Sequence, residues 1–380
     1  MMFMGPGPVT RGNARVKTEP RLVIPAPDEI TAEWLTAALG HHADWSGVEM
    51  TEVRPEPLAK GVGMMSDLAR LHISHTGGPD APRTVIAKGS AKDRTNRQVA
   101  EAFDLYAREV AFFREVAELT TARTPRCWYL DINDDHDSII LMEDLHRHVP
   151  GDQEVGCTPE QAAACARELA RLHGALWNQV DHPRFDAVPL HRSATHGDIY
   201  LEMLPDAWDK VLEIFGDVVP DRLAAAKDEF CAALVPFQEW ITAEPRTIVH
   251  GDFRMGNLLF CDEDGEPPVV IVDWQGDLRA KGVQDLAYLL SQSVETELRR
   301  LHERSLVEVY CQELAAVGVD YAIEQAWADY QKACCYLWTY AVMIAGTLDM
   351  VNDAGVRWMR KMVERSSAAF MDFDGFRYLS

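Results

Sequence analysis

Among 8 cysteines and 13 histidines there is no C-x-x-C pair, no H-E-x-x-H and no zinc-finger spacing. That argues against a structural zinc site or a dithiol redox centre. The cysteines are scattered at 127, 157, 165, 231, 261, 311, 334 and 335, the pattern of reduced thiols in a cytoplasmic protein. No stretch approaches the roughly 18 consecutive apolar residues of a membrane span; the longest suggestive run, 336–346, reads as a buried helix. Basic residues are also few. Lys and Arg number 37 against 60 Asp and Glu, a net charge of −23, which repels phosphate backbones and anionic lipid and makes nucleic acid a poor partner. The plain meaning of this charge is solubility; a cation-binding pocket is the sharper alternative. Residues 1–26 differ, with Arg11, Arg15, Lys17 and Arg21 against Glu19 alone. They lack the apolar run of a signal peptide and are expected to form a flexible tail.

What is present suits a globular chain of two domains or lobes: 380 residues, 47% hydrophobic and 26% charged, with no internal repeat. The first half alternates short β-like runs with turns. Strands are expected at 48–59, 66–74, 84–88, 126–132 and 138–142, with a short helix over 28–39 and one helix after the third strand carrying Phe103, Tyr106, Val110, Phe113 and Val116 on one face. The segment 146–157, with Pro150 and Gly151, is a hinge candidate. Thr158-Pro159-Glu160-Gln161 then has the form of a capping box opening a helix. Further helices are expected around 206–216, 221–242, 284–291, 296–316 and 320–345, so an α+β chain places its strands before a mostly helical half.

The informative segment is His250-Gly251-Asp252-Phe253-Arg254-Met255-Gly256-Asn257-Leu258-Leu259-Phe260, between strand-like 247–249 and 258–260. A turn at 262–265 returns the chain through 269–272 to Asp273-Trp274-Gln275. The H-x-D-x-x-x-x-N spacing puts Asp252 and Asn257 on one loop and Asp273 on the neighbouring strand. Phosphoryl transfer needs such a set: one carboxylate to orient or deprotonate the acceptor hydroxyl, and oxygen ligands for Mg²⁺ beside the triphosphate. Asn257 and Asp273 are the candidate Mg²⁺ ligands, hard oxygens of the type that ion favours.

On HGDFRMGNLLF and IVDWQ the sequence resembles the aminoglycoside phosphotransferase-like family of small-molecule kinases, with Asp-Trp-Gln similar to its ecdysteroid-kinase-like branch and the Phe-Arg after His-Gly-Asp similar to hydroxyacyl-CoA kinase-like members. The resemblance implies a protein-kinase-like two-lobed fold, with a β-rich ATP-binding lobe over 27–145 and a helical lobe over 146–380. Within it, Lys88, ending Thr84-Val85-Ile86-Ala87-Lys88, looks like the lysine that holds the α- and β-phosphates. Its partner on the next helix is expected to be Glu109, with Glu101 as competitor. Gly61, Gly63 and Ser66 resemble a weakened glycine-rich loop over the phosphates, and 139–145 resembles the hinge that receives adenine near Glu143 and Leu145. Asp285 matches the helix-borne Asp that braces the catalytic loop, and a helix cap is its plainer role. His250 reads as a hydrogen-bonding residue of that loop rather than a proton carrier. A second His196-Gly197-Asp198 lacks the Asn and the following Asp-Trp-Gln strand, and is expected to be a structural loop.

Gly251 stands where protein kinases carry Arg, Trp274-Gln275 replaces Phe-Gly, and only 11 residues separate Asp273 from Asp285 with no Ala-Pro-Glu after them. The expectation is therefore an ATP- and Mg²⁺-dependent kinase for a hydroxyl on a small molecule. A protein kinase and a catalytically silent nucleotide- or metabolite-binding module are the alternatives. Aminoglycosides, macrolides, amino alcohols, hydroxyacyl-CoA and steroid-like alcohols are all allowed by the resemblance. The acceptor wall is expected near residues 196–198 and the helix 330–344, with Tyr330, Tyr336, Trp338, Tyr340 and Met343 mostly in the core; Asp349 and Asp353 are the acids nearby.

Overall fold

A computed structural model describes residues 22–58, 65–78, 81–263, 265–266, 268–347 and 353–379. Gly61, Gly63 and Asp349 lie outside the described residues, as do the first 21 residues of the expected tail.

After a 3₁₀ turn at Pro27–Glu29, helix α1 (Ala32–Leu39) is opened by Thr31, whose hydroxyl accepts the Trp34 N–H at 3.2 Å. Strands β1 (Glu49–Leu58), β2 (Ser66–Thr76), β3 (Thr84–Ser90), β4 (Cys127–Ile132) and β5 (Ser138–Glu143) form one antiparallel sheet in the order β1-β2-β3-β5-β4. Side chains alternate faces along a strand, and the two central strands are apolar on both. Val85, Ala87, Ile139 and Leu141 pack with α1 beneath the sheet, whereas Ile86, Ile140 and Met142 join the larger core on the other side. Lys88 shares the Ile86 face, so the strand aims its ammonium toward the second half of the molecule.

The single helix expected after β3 is two, α2 (Arg94–Ala102) and α3 (Leu105–Ala111), followed by a π-helical turn at Phe112–Val116. The break falls at Asp104, whose left-handed φ of 53° cannot continue a helix. The capping box forms: Thr158 and Gln161 exchange side chain-to-backbone bonds and open α4 (Pro159–Ala175). Helices α5 (Gly197–Phe215), α6 (Asp221–Ala224) and α7 (Lys227–Thr242) follow. Strand β8 (Leu258–Phe260) pairs with short β6 (Val149–Pro150) on one side and β9 (Val269–Ile271) on the other, while β7 (Thr247–Val249) pairs with β10 (Leu278–Ala280).

Helix α8 (Val283–Ser293) is buried along its whole length and is enclosed by α4, α9 (Thr296–Ala316), α10 (Ile323–Tyr336) and α12 (Asp353–Asp372), with α11 (Trp338–Thr347) packed on α5 and α12. Three expectations need correcting. His196-Gly197-Asp198 is not a loop: it opens α5, which begins nine residues earlier than expected. The helix over 320–345 is broken at Leu337. Helix α12 was not expected, although Met359, Met362, Val363, Ser366 and Phe370 recur at helical spacing on its buried face. No helix among the described residues is long and apolar enough to cross a membrane.

Candidate active site

A cleft of about 720 Å³ lies between the sheet and the helical half. On its roof, the Lys88 ammonium sits 2.7 Å from Glu109 Oε2 and 2.8 Å from Asp273 Oδ1. Burial alone would lower the Lys88 pKa, but the charges of Asp273 and Glu109 outweigh it and hold the ammonium above its ordinary value. Burial likewise opposes ionisation of Asp273, and Lys88 reverses that, keeping its carboxyl below the usual range. Glu109, the most enclosed of the three, is pushed up by burial despite Lys88. The competitor Glu101 pairs instead with Arg97 at 2.8 Å on its own helix.

The floor is built by the turn after β7. Gly251 has φ +77°, and a Cβ there would lie 2.0 Å from the Gly276 carbonyl oxygen, so only glycine fits between this turn and the Asp273-Trp274-Gln275-Gly276 turn. Asp285 secures the turn from α8. Its carboxylate, fully buried, accepts the His250 N–H at 2.6 Å, the Gly251 N–H at 2.9 Å and His173 Nε2–H at 3.2 Å. His173 Nδ1 in turn accepts from the Tyr310 hydroxyl at 2.9 Å. Asp285 is thus in the first turn of α8, yet its bonds go to another segment and not to the helix's own amides. His250 donates Nε2–H to the Val272 carbonyl at 3.0 Å and accepts the Asp252 N–H on Nδ1 at 3.2 Å. One ring nitrogen therefore joins the two turns and the other braces the His250–Asp252 turn itself.

Asp252 faces the cleft with three donors around it. Asn257 Nδ2 donates to Oδ2 at 2.8 Å and to the Asp252 carbonyl at 2.9 Å; the Tyr288 hydroxyl donates to Oδ1 at 2.9 Å; Arg254 Nε lies 3.1 and 3.3 Å from the two oxygens. Asp273 occupies a left-handed backbone conformation, φ 66° and ψ 74°, a strained state for a residue with a side chain. The ring of the adjacent Trp274 stacks on Phe112 at 3.5 Å between centroids and the Trp274 backbone N–H donates to Glu109 Oε1 at 3.3 Å, so the turn is held against α3 and the π-helical turn after it.

The structure brings Lys88, Glu109, Asp252, Asn257 and Asp273 to one cleft, with His250 and Asp285 behind them. Ser66 lines it too, with its hydroxyl taken by Gln275 Nε2 at 2.6 Å. Glu143 and Leu145 line the far end, where the Glu143 carboxylate is committed to Arg123 at 2.7 Å. Of the expected acceptor wall, His196, Tyr340 and Ile344 reach the cleft, whereas Tyr330, Tyr336, Trp338 and Met343 are core; Asp353 is exposed at the start of α12 and does not line it. Burial lowers the pKa of His196 well below its ordinary value and that of His191 behind it to about 3, so both rings are neutral.

Sequence reasoning missed Tyr288 and Asp277. Tyr288 was findable in principle, one helical turn after Asp285 and hence on the same face of α8. Asp277 had no local signal. It is fully buried, its carboxylate oxygens have no hydrogen-bond partner among the described residues, and Arg108 Nε approaches only to 3.5 Å. Burial pushes its pKa up to about 8.

Asn257 and Asp273 both line the cleft and each keeps a side-chain oxygen that no hydrogen bond among the described residues uses. Both Asn257 bonds leave from Nδ2, so they do not use Oδ1, and Lys88 takes only Oδ1 of Asp273, whose side chain is 40% exposed. No cluster of three or more His, Cys, Asp or Glu that could hold a metal occurs among the described residues. The pair suits a hard divalent ion that arrives with phosphate and water as its other ligands, not a resident metal held by protein alone.

The fold has a counterpart in a microcompartment-associated aminopropanol kinase, 12% identical, with 86% of this chain and 94% of that one covered at a TM-score of 0.50. A GDP complex of aminoglycoside 2′-phosphotransferase-IIIa is also similar, at 12% identity, 89% and 98% coverage and a TM-score of 0.49. By sequence, the chain is 21% identical over 324 residues to an uncharacterized oxidoreductase of Caenorhabditis elegans, dhs-27; the match takes in 77% of this chain but only 38% of that relative's length. Residues 60–319, which include Lys88, Glu109, Asp252, Asn257, Asp273 and Asp285, match the model of the ecdysteroid kinase-like family. A chain matched over that span, with a protein-kinase-like α+β fold and these side chains gathered in one cleft, belongs to the ecdysteroid kinase-like family.

Proposed function

We propose that the protein is an ATP- and Mg²⁺-dependent phosphotransferase that phosphorylates a hydroxyl group of a small molecule. One observation carries the reading: Lys88, tied to both Glu109 and Asp273 within 2.8 Å, shares a cleft with an Asp252 carboxylate that three donors hold in place. In this reading Lys88 binds the phosphates and Glu109 fixes the ammonium. Asn257 and Asp273 hold Mg²⁺, which when bound would neutralise charge on the phosphates. Asp252 accepts the proton of the acceptor hydroxyl as its oxygen bonds to the terminal phosphorus and ADP leaves with the displaced electron pair. The nucleotide occupies the side that carries Lys88, with Ser66 toward the phosphates and Glu143 and Leu145 at the adenine. The acceptor enters from the side formed by residues 146–380. His250 and Asp285 act by positioning the loop.

Between Asp273 and Asp285 the chain makes only a 3₁₀ turn and β10, which favours a small acceptor over a peptide needing a long activation segment. The aromatic rim of Tyr200, Tyr340 and Trp358 suits an acceptor with an apolar body. All eight cysteines are free, in keeping with a cytoplasmic location.

The test is a pair of isosteric variants. Asp252→Asn keeps Mg-ATP binding, read by thermal shift, and loses about 10²–10⁴-fold in phosphoryl transfer. Asp273→Asn weakens the Mg²⁺-dependent part of nucleotide binding itself. Nucleotide affinity and turnover equal to wild type in both variants would refute the assignment.

A further inference from the structure

Most polar side chains in the cleft are engaged with one another: Lys88 with Glu109 and Asp273, Ser66 with Gln275, Glu143 with Arg123 and Asp144 with Arg70. On the helical side, ring contacts lead away from Asp252. The Tyr288 hydroxyl that donates to Asp252 belongs to a ring 5.6 Å from Tyr340, and Tyr340 lies 5.5 Å from Tyr200 on α5. Tyr200 also meets Phe103, from the sheet side, at 6.2 Å, so it stands across the cleft. Its ring is half-buried, yet its hydroxyl has no hydrogen-bond partner among the described residues. Nor is that oxygen sealed in the interior, as the unpartnered hydroxyls of Ser291 and Thr339 are. One helical turn earlier stands His196, with its ring 4.5 Å from that of Tyr200 and its Nε2 3.2 Å from the Tyr340 hydroxyl. Nδ1 of His196 has no partner among the described residues. The ring is neutral, so the His196–Tyr340 pair carries one ring hydrogen and one hydroxyl hydrogen and uses one of them internally. In either tautomer the other is left to donate.

The wall therefore offers unused donor hydrogens without an unused charge. Burial holds the Tyr200 phenol above its ordinary pKa, and the smaller effects of Arg108 and Asp252 on it oppose one another. Arg108 turns its own donors to the carbonyls of Asp277 and Phe103. A neutral donor beside aromatic faces is matched best by a neutral oxygen. An ammonium would point hydrogens at hydrogens, and a carboxylate would give up water for neutral donors with the Asp252 charge nearby. Building on the phosphotransferase reading, we propose that Tyr200 is a specificity-determining residue, whose hydroxyl donates to a second, uncharged oxygen of the acceptor alcohol: a carbonyl, hydroxyl or ether. The hydroxyl to be phosphorylated rests on Asp252, while Tyr200, with the spare hydrogen of the His196–Tyr340 pair beside it, holds the other oxygen and fixes which way round the acceptor lies. The negative charge of the chain thus belongs to its surface, and this wall selects by hydrogen bonding.

The test uses benzyl alcohols that differ in one substituent, each as the meta and the para isomer: acetyl, ethyl, aminomethyl and carboxyl. Binding is measured by calorimetry with Mg²⁺ and a non-hydrolysable ATP analogue, and transfer by phosphorus NMR with ATP. In at least one isomer the acetyl compound should bind wild type about three- to tenfold more tightly than its ethyl counterpart, the worth of a neutral hydrogen bond, with the amine and the acid weaker than the acetyl compound. Tyr200→Phe should bring the acetyl-to-ethyl ratio to about one. Because the Tyr200 hydroxyl has no partner in the fold, the same variant should keep the unfolding midpoint and the Mg-ATP affinity of wild type, which a merely structural role would not allow. Equal binding of acetyl and ethyl compounds by wild type in both isomers, including no binding at all, overturns the proposal. So does an amine or acid that binds more tightly than the ketone, or a Tyr200→Phe protein that keeps the full ratio. Binding is read separately from transfer. A ketone held through Tyr200 but never phosphorylated refutes the phosphotransferase reading and leaves the second-oxygen site standing, whereas equal phosphorylation of all the probes supports that reading and overturns the selectivity.

Discussion

Replacing Asp285 with alanine tests whether α8 holds the site together. The carboxylate is the acceptor for two backbone N–H groups, those of His250 and Gly251, and for His173 Nε2–H, all in a place with no exposed surface. Removing it strands two backbone donors, and each buried unpaired donor costs about 1–3 kcal/mol, so the variant should lose about 2–6 kcal/mol. The lower end applies if a water enters the vacated space. An acid in the first turn that served only its own helix would be worth about 0.3–1 kcal/mol, which makes the two roles separable. The His250–Gly251 turn also carries Asp252, and misplacing a reacting group by about 1 Å can cost on the order of 10²-fold in rate. Urea unfolding followed by circular dichroism reads the first effect, and the turnover of any accepted alcohol reads the second. An Asp285→Ala protein within about 0.5 kcal/mol of wild type with unchanged turnover would show that the turn keeps its shape without α8, and the reasoning would fail.

Tyr288→Phe removes one hydroxyl, the donor to Asp252 Oδ1. Turnover should fall about tenfold with nucleotide affinity unchanged, as expected for a lost hydrogen bond to a charged group; weakened ATP binding at full turnover would contradict this. Asp277→Asn tests the buried carboxyl at the α3 contact. With its folded pKa raised to about 8, the native protein holds a proton that the unfolded chain releases from about pH 4 upward. Wild type should therefore lose stability relative to the Asn variant as pH rises from about 4 to about 8, by a few kcal/mol at most. Unfolding midpoints of the two proteins at about pH 5 and about pH 8.5 read the difference, and a constant offset would refute it.

Much of the site could be read from spacing alone because its residues come from two short segments. His250 to Asn257 and Asp273 to Gln275 are separated by one hairpin, so local pattern brings them together. The same holds for the Thr158–Gln161 capping box, which involves only neighbouring backbone and side chains. Lys88 and Glu109 required the resemblance, since nothing local says that a strand and a helix 21 residues apart will share a cleft with Asp273, 185 residues beyond Lys88.

Burial and pairing were decided by packing. Helix α12 had helical periodicity, but its place over Arg254 through Trp358 depends on how it crosses the helical half. His196-Gly197-Asp198 looks like a loop motif in sequence; it became the start of α5 because the neutral His196 ring packs among His191, Tyr200 and Tyr340. Asp277 and Asp285 are chemically identical side chains eight positions apart. One acquired three donors and the other none, a difference that arises only when the segments around them close. The sequence by itself determined which chemistry the chain carries, because residue types and short spacings set the available donors, acceptors and charges. Tertiary structure alone decided how those groups are paired, giving Asp285 three donors and Asp277 none, because electrostatic matching depends on distances between segments remote along the chain.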